Sequence, residues 1–166
     1  MREVAIAVTQ FACGPDRAAN ADTAEAIVRR AAAEGGQVIV LQELFEATYF
    51  CKTQDPVFFD WAVPFDGHPL IARFAALAGE LGVVLPVSFF ERAGTAFFNS
   101  VAMVDADGQV RGIYRKSHIP QGPGYEEKFY FSPAIPGSGS GRRRLAASVS
   151  GYVGTSGSPR RRAQWR

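Results

Sequence analysis

At 166 residues, with a hydrophobic fraction of 47% and 13 phenylalanines, the chain has the length and apolar content of one globular domain, not of a disordered segment. The formal net charge of +2 makes no demand for nucleic acid or a membrane surface, and no run approaches the roughly 18 apolar residues of a membrane helix. The N-terminus enters a short apolar run without a basic and hydrophobic leader, and the two cysteines, Cys13 and Cys51, make neither a disulfide framework nor a metal cluster, so a reduced, cytoplasmic protein is expected.

Val4-Ala5-Ile6-Ala7-Val8 is a continuous small-apolar run, of the kind that forms a strand buried on both faces. A turn at Gly14-Pro15-Asp16 leads to a helix predicted from about Ala18 to Glu34, with Ala24, Ile27, Val28 and Ala31 at helical spacing and Gly35-Gly36 as its stop. Val38 to Leu41 reads as a second buried strand, closing a β-α-β unit that predicts parallel pairing through a right-handed crossover. Phe45 to Trp61, aromatic and broken by Asp55-Pro56, reads as an irregular loop, and Leu70 to Leu81 as a short amphipathic helix. Val83–Val87 and Ala96–Val104 are the next predicted strands. Asp105-Ala106-Asp107-Gly108 then marks a hairpin that returns the chain through Val110 to Tyr114. No internal repeat is present. After Pro133 the composition changes: residues 134–166 contain no acidic residue, Lys, Phe or Cys, and Gly, Ser and Arg dominate, which reads as a basic, irregular tail.

Two residues carry most of the chemical interest. Glu43 stands just past a buried strand, at the end where open α/β sheets place ligands. It suits a general base, against the plainer reading of a helix-capping or hairpin-satisfying acid at a strand end. Lys116 ends the last predicted strand and enters a loop confined by Pro120 and Pro123 and freed by Gly122 and Gly124. It either holds an anion or developing oxyanion, or pairs with Glu43 or Glu127. Glu126 and Glu127, being adjacent, are expected to point in different directions. By strand alternation Arg115 is expected to face solvent. His118 has no second His or Cys at metal spacing and is expected to orient the loop. Cys51, alone among aromatics, reads as a small buried hydrophobe. The tail arginines lack an aromatic platform beyond Tyr152 and Trp165, a weak signal for nucleic acid.

Together Leu41-Gln42-Glu43-Leu44-Phe45, the Tyr49-Phe50-Cys51 loop, Asn99-Ser100-Val101 and the long stretches Tyr114 to Pro120 and Gly122 to Phe131 resemble the nitrilase, or carbon–nitrogen hydrolase, superfamily. Within it the motifs look most like those of the N-carbamoylputrescine amidases. The resemblance covers about residues 3 to 133. It implies an α/β protein, the N-terminal part of an α-β-β-α sandwich, incomplete here and followed by the irregular basic tail. By the resemblance, Glu43 matches the general base, Lys116 the oxyanion-stabilising lysine and Glu127 a second glutamate that orients lysine and substrate. It also implies hydrolysis of N-carbamoylputrescine to putrescine, CO2 and ammonia without metal or cofactor, and a homo-oligomer in the intact family. Another carbon–nitrogen hydrolase activity, of ureidopropionase or aliphatic amidase type, is the alternative, or a non-enzymatic fragment with a basic binding tail.

One departure matters. The family's nucleophile lies in a Gly-Ile-Cys-Trp-Asp motif after the region matched by Phe129 to Pro133, yet this chain has no cysteine beyond Cys51. No nucleophile is therefore assigned, and no turnover is expected of the chain as it stands. Triplets for Ala134–Ser138 and for Ser150–Arg160 can be chosen so that restoring one base reads the family's Gly-Asp-Thr-Gly-Phe and then its cysteine motif. Residues 1–133 are thus expected to be the hydrolase part, and residues 134–166 the out-of-frame product of a single-base deletion after Pro133.

Overall fold

The computed structural model describes residues 3–134; the expected out-of-frame tail, apart from Ala134, lies outside the described residues. Strand β1 (Ile6–Val8) pairs in parallel with β2 (Val38–Val40), joined by helix α1 (Arg17–Ala33). Asp16 starts that helix by accepting from the Ala18 and Ala19 N–H groups. Helix α2 (Pro69–Leu81) leads into β3 (Leu85–Ala93), and β4 (Ala96–Val104) and β5 (Val110–Arg115) follow as an antiparallel meander. Val84 joins the two parts: the Ile39 N–H donates to its carbonyl at 3.0 Å and its own N–H donates to Gln37 at 2.9 Å. The strands therefore run in the order β1-β2-β3-β4-β5, parallel at one side and antiparallel at the other.

Both long helices lie on one face. Ala24, Val28, Phe74 and Leu77 pack there against Ile39, Leu85, Val87 and Phe89 of the sheet. The turn between β4 and β5 touches α2 closely: a Cβ on Gly108, whose φ is +77°, would stand 2.8 Å from the Ala75 carbonyl oxygen. Glycine is needed there for both reasons.

The opposite face is more open. Ala7 is buried, but Ile6 is 61% exposed and Val8 80% exposed, so β1 is covered on one face only and not on both as its apolar run predicts. The continuous run marks a strand apolar on both sides, which is a different property from one covered on both sides.

Strand β3 extends beyond the predicted Val83–Val87, because all nine of its residues pair with β4 through a turn at Gly94. Phe89 points to the helices and Phe90 to a second, aromatic cluster, so the alternation that marks a one-sided strand is lost. That cluster centres on Phe50, whose ring meets those of Phe58, Trp61, Phe90, Tyr130 and Phe131 at 5.0–6.1 Å. Each such pair contributes about 0.5–1.5 kcal/mol beyond area burial. The loop from Phe45 to Trp61 is thus anchored, and it contains two 3₁₀ helices, Phe50–Lys52 and Pro56–Trp61.

Arg115 corrects its expectation. It does not simply extend into solvent: its guanidinium pairs bidentately with Glu91, which is 1% exposed, and lies over the Phe98 ring at 4.2 Å, with about a third of the side chain left exposed. Ser100 donates to the same carboxylate at 2.6 Å. Alternation correctly separates Arg115 from Lys116, but the face it takes is the helix-covered one.

Candidate active site

Three chain segments converge at the end of the open face. The first leaves β2. Gln42 is held by the Phe11 main chain, accepting from its N–H at 2.9 Å and donating to its carbonyl at 2.8 Å. Glu43 follows, and then Leu44, the one non-glycine among the described residues with a left-handed φ, +51°. The Leu44 N–H donates to the Ser88 hydroxyl at 3.0 Å, which anchors this unfavourable backbone. Strand β5 supplies the second segment. The Lys116 N–H donates to the Asn99 carbonyl at 2.8 Å, carrying the ladder one residue past Arg115 and turning Lys116 to the face opposite it. The third is the Pro/Gly loop, closed by reciprocal main-chain bonds between Gly122 and Tyr125 and tied down where the Glu126 N–H donates to the Cys51 carbonyl at 2.7 Å. It delivers Glu127 as the first residue of a short helix, α3 (Glu127–Tyr130).

Lys116 Nζ lies between two carboxylates, donating to Glu43 Oε1 at 2.9 Å and to Glu127 Oε2 at 2.8 Å. Glu127 is 3% exposed and its other oxygen accepts from the Tyr49 hydroxyl at 2.9 Å. Glu43 Oε1 also accepts from the Asn99 side-chain amide. Glu126 turns the other way, toward Gln54 and Gln121, as adjacency predicts. These groups border an open pocket of ≈ 600 Å³, lined by Glu43, Tyr49, Lys116, Pro120, Tyr125 and Glu127.

The electrostatics favour a charged lysine. Partial burial opposes the Lys116 ammonium, but hydrogen bonds to Glu127 and Glu43 outweigh it and raise its pKa above the ordinary value. Burial raises the Tyr49 hydroxyl, and the neighbouring Glu127 raises it further. Cys51 is 0% exposed, and burial, with the fields of Glu127 and Glu43 added, pushes its thiol up to about 12. It is therefore a protonated core residue. Burial also raises Cys13, against the Gln42 hydrogen bond. Neither thiol is an activated nucleophile.

The structure thus brings Glu43, Lys116 and Glu127 into one hydrogen-bonded cluster, and leaves His118 exposed. Ser88 is not marked by the sequence reading, and Tyr49 and Asn99 stand in the family-like stretches without a role of their own. A signal existed for two of them: Ser88 and Asn99 are polar residues inside apolar strands, where a buried polar group needs a partner.

The model described as carbon-nitrogen hydrolase matches residues 5–158 of the chain. The chain belongs to the carbon–nitrogen hydrolase family. That match runs past Pro133. An N-carbamoylputrescine amidase of Arabidopsis thaliana is 57% identical over 136 residues, covering 82% of this chain and 46% of the relative. A citrullinase of Francisella tularensis subsp. tularensis (strain SCHU S4 / Schu 4) is 44% identical over 137 residues, covering 82% of this chain and 48% of the relative. Among solved structures, a carbon–nitrogen hydrolase from Helicobacter pylori G27 superposes with a TM-score of 0.75 at 37% identity, covering 81% of this chain and 46% of that one. The chain therefore spans about half the length of the curated relatives it matches.

Proposed function

We propose that this chain carries the Glu–Lys–Glu part of a site that hydrolyses a terminal ureido group, that the substrate is N-carbamoylputrescine, and that the chain as it stands does not turn it over. The observation that carries this reading is the Lys116 ammonium held between Glu43 and Glu127 on the wall of an open pocket. A cation fixed by two carboxylates is preorganised for an oxyanion, since its position does not depend on the substrate. The half-exposed Glu43 carboxylate is accessible for proton transfer.

In the reaction so read, Glu43 takes the proton of a thiol nucleophile and the thiolate attacks the ureido carbon. Lys116 faces the oxygen that becomes negative in the tetrahedral intermediate. Collapse breaks the bond to the terminal nitrogen, which leaves as ammonia with the proton returned by Glu43. Water, deprotonated by the same carboxylate, then attacks the carbamoyl thioester and releases the thiol. The carbamate product loses CO2 to give the free amine, so one water is consumed overall. The thiol is the part this chain lacks, since Cys13 and Cys51 are both held protonated away from this role.

The relatives' names favour a ureido substrate over a simple amide, because N-carbamoylputrescine and citrulline both end in that group. Ammonia release from N-carbamoylputrescine, citrulline and a simple aliphatic amide tests the reading. The present chain should release none. The protein with its reading frame restored after Pro133 should act on N-carbamoylputrescine first. A preference for citrulline would move the substrate, and turnover by the present chain that disappears in Cys51→Ala would overturn the assignment of the nucleophile.

A further inference from the structure

We propose that Asn99 is a positioning residue of this site, whose side chain fixes the Glu43 carboxylate while its main chain fixes the strand end that bears Lys116. The inference rests on the functional reading above, but the geometry that carries it is independent of turnover. Asn99 sits within β4, 4% exposed, on the face opposite Ser100. Its amide Nδ2 donates to Glu43 Oε1, and its carbonyl accepts the Lys116 N–H at 2.8 Å. One residue therefore touches both partners of the ion pair.

Glu43 needs such a restraint. Its side chain is 51% exposed, so nothing in its packing selects one rotamer. The backbone beneath it is already fixed, by Gln42 on the Phe11 main chain and by Ser88 on the Leu44 N–H. What remains is the rotation of the carboxylate, which the Asn99 amide limits together with the Lys116 ammonium. Asn99 and Lys116 both donate to Oε1, so Oε2 takes neither bond and is the oxygen left for proton transfer. An amide serves here where a second cation would not, because it donates one hydrogen bond without competing with Lys116 for the charge.

The chain has three lysines, Lys52, Lys116 and Lys128, which makes the test direct. The protein is labelled with ¹³C-lysine and the three Hε–Cε signals are followed against pH, with Lys116→Arg to assign the site. Asn99→Leu should lower the Lys116 midpoint by about half a pH unit or more, because a released Glu43 swings into water and no longer supports the ammonium. Lys52 and Lys128 should not move. Glu43→Gln should lower the Lys116 midpoint as well, and adding Asn99→Leu to it should change nothing further. Asn99→Ser, whose hydroxyl is too short to reach the carboxylate, should repeat the result with less disturbance to the strand. An unmoved Lys116 midpoint in both variants would overturn the proposal, as would an equal shift in the Glu43→Gln background. Loss of the fold in both variants would overturn it too, by assigning Asn99 to strand stability. Because the signal requires no substrate, absence of ammonia release in the restored protein leaves this result intact, and the two failures are separate.

Discussion

Strands β3, β4 and β5 carry a charged cluster on each face, and the two are built from sequence neighbours. Arg115 and Lys116 part to opposite sides, as do Ser100 and Asn99. On the helix-covered face Arg115 grips Glu91 with two parallel hydrogen bonds, Ser100 adds a third, and Phe98 closes the assembly. On the open face Lys116 is shared between two carboxylates beside a pocket. The difference follows from the chemistry of the two cations. A planar fork with fixed donors suits a bidentate grip on one buried carboxylate, whereas a compact ammonium with three donors on a flexible stem can hold two partners and still meet a third. The same backbone thus bears one cluster built around a buried carboxylate and one that borders an open pocket.

pH should separate the two faces most strongly. Arginine does not titrate in the accessible range, so the Glu91 cluster is silent at alkaline pH. On the open face Cys51, Tyr49 and Lys116 all have raised pKa values. Between the ordinary thiol value of 9.0 and about 12 the folded Cys51 keeps a proton that the unfolded chain loses. The native state then binds more protons than the unfolded one, and stability falls as pH rises. Denaturant midpoints measured upward from about pH 9 should therefore decline, and Cys51→Ala should remove part of the decline. A flat alkaline limb would contradict the burial of that thiol.

Glu91→Ala comes next. It strands Arg115 and Ser100 and should cost roughly 2–3 kcal/mol, below the range for a fully buried pair because Arg115 keeps about a third of its side chain in solvent. Urea unfolding checks it, and a loss under about 0.5 kcal/mol would erase the distinction between the faces. Lys116→Met leaves the buried Glu127 with only the Tyr49 hydroxyl and should cost about 1–2 kcal/mol at neutral pH. Urea unfolding of the variant beside the parent at neutral pH shows it. Tyr49→Phe is the smallest, about 1 kcal/mol or less by thermal unfolding, since Lys116 still satisfies Glu127.

Much of this was legible beforehand, for definable reasons. The β-α-β start, both long helices and the β4–β5 hairpin follow from periodicity and turn residues, which act locally. Glu43 and Lys116 stand out because a charge at the end of an apolar run is expensive without a partner. Glu127 came from the resemblance, since nothing local distinguishes it from Glu126. What stayed hidden depends on the other side of a contact. Alternation put Arg115 and Lys116 on different faces but could not show that Glu91 waits beneath Arg115. Nor could it show that the Leu44 backbone is turned left-handed and pinned by Ser88, 44 positions away.

Sequencing the coding DNA around Pro133 bears on what lies beyond the described residues. Restoring one base should yield the cysteine motif, and a sequence that does not would remove the frameshift proposal. The central claim, that the open-face cluster is the chemical one, is tested most directly by ammonia release from N-carbamoylputrescine in the frame-restored protein. Glu43→Gln should reduce the rate by at least about 100-fold with the fold intact, the scale of a lost general base. Glu91→Gln, on the other face, should leave the rate of the folded fraction within about threefold, because it removes a charge from the packing and none from the pocket. Turnover that survives Glu43→Gln, or that falls as far in Glu91→Gln, would contradict the account.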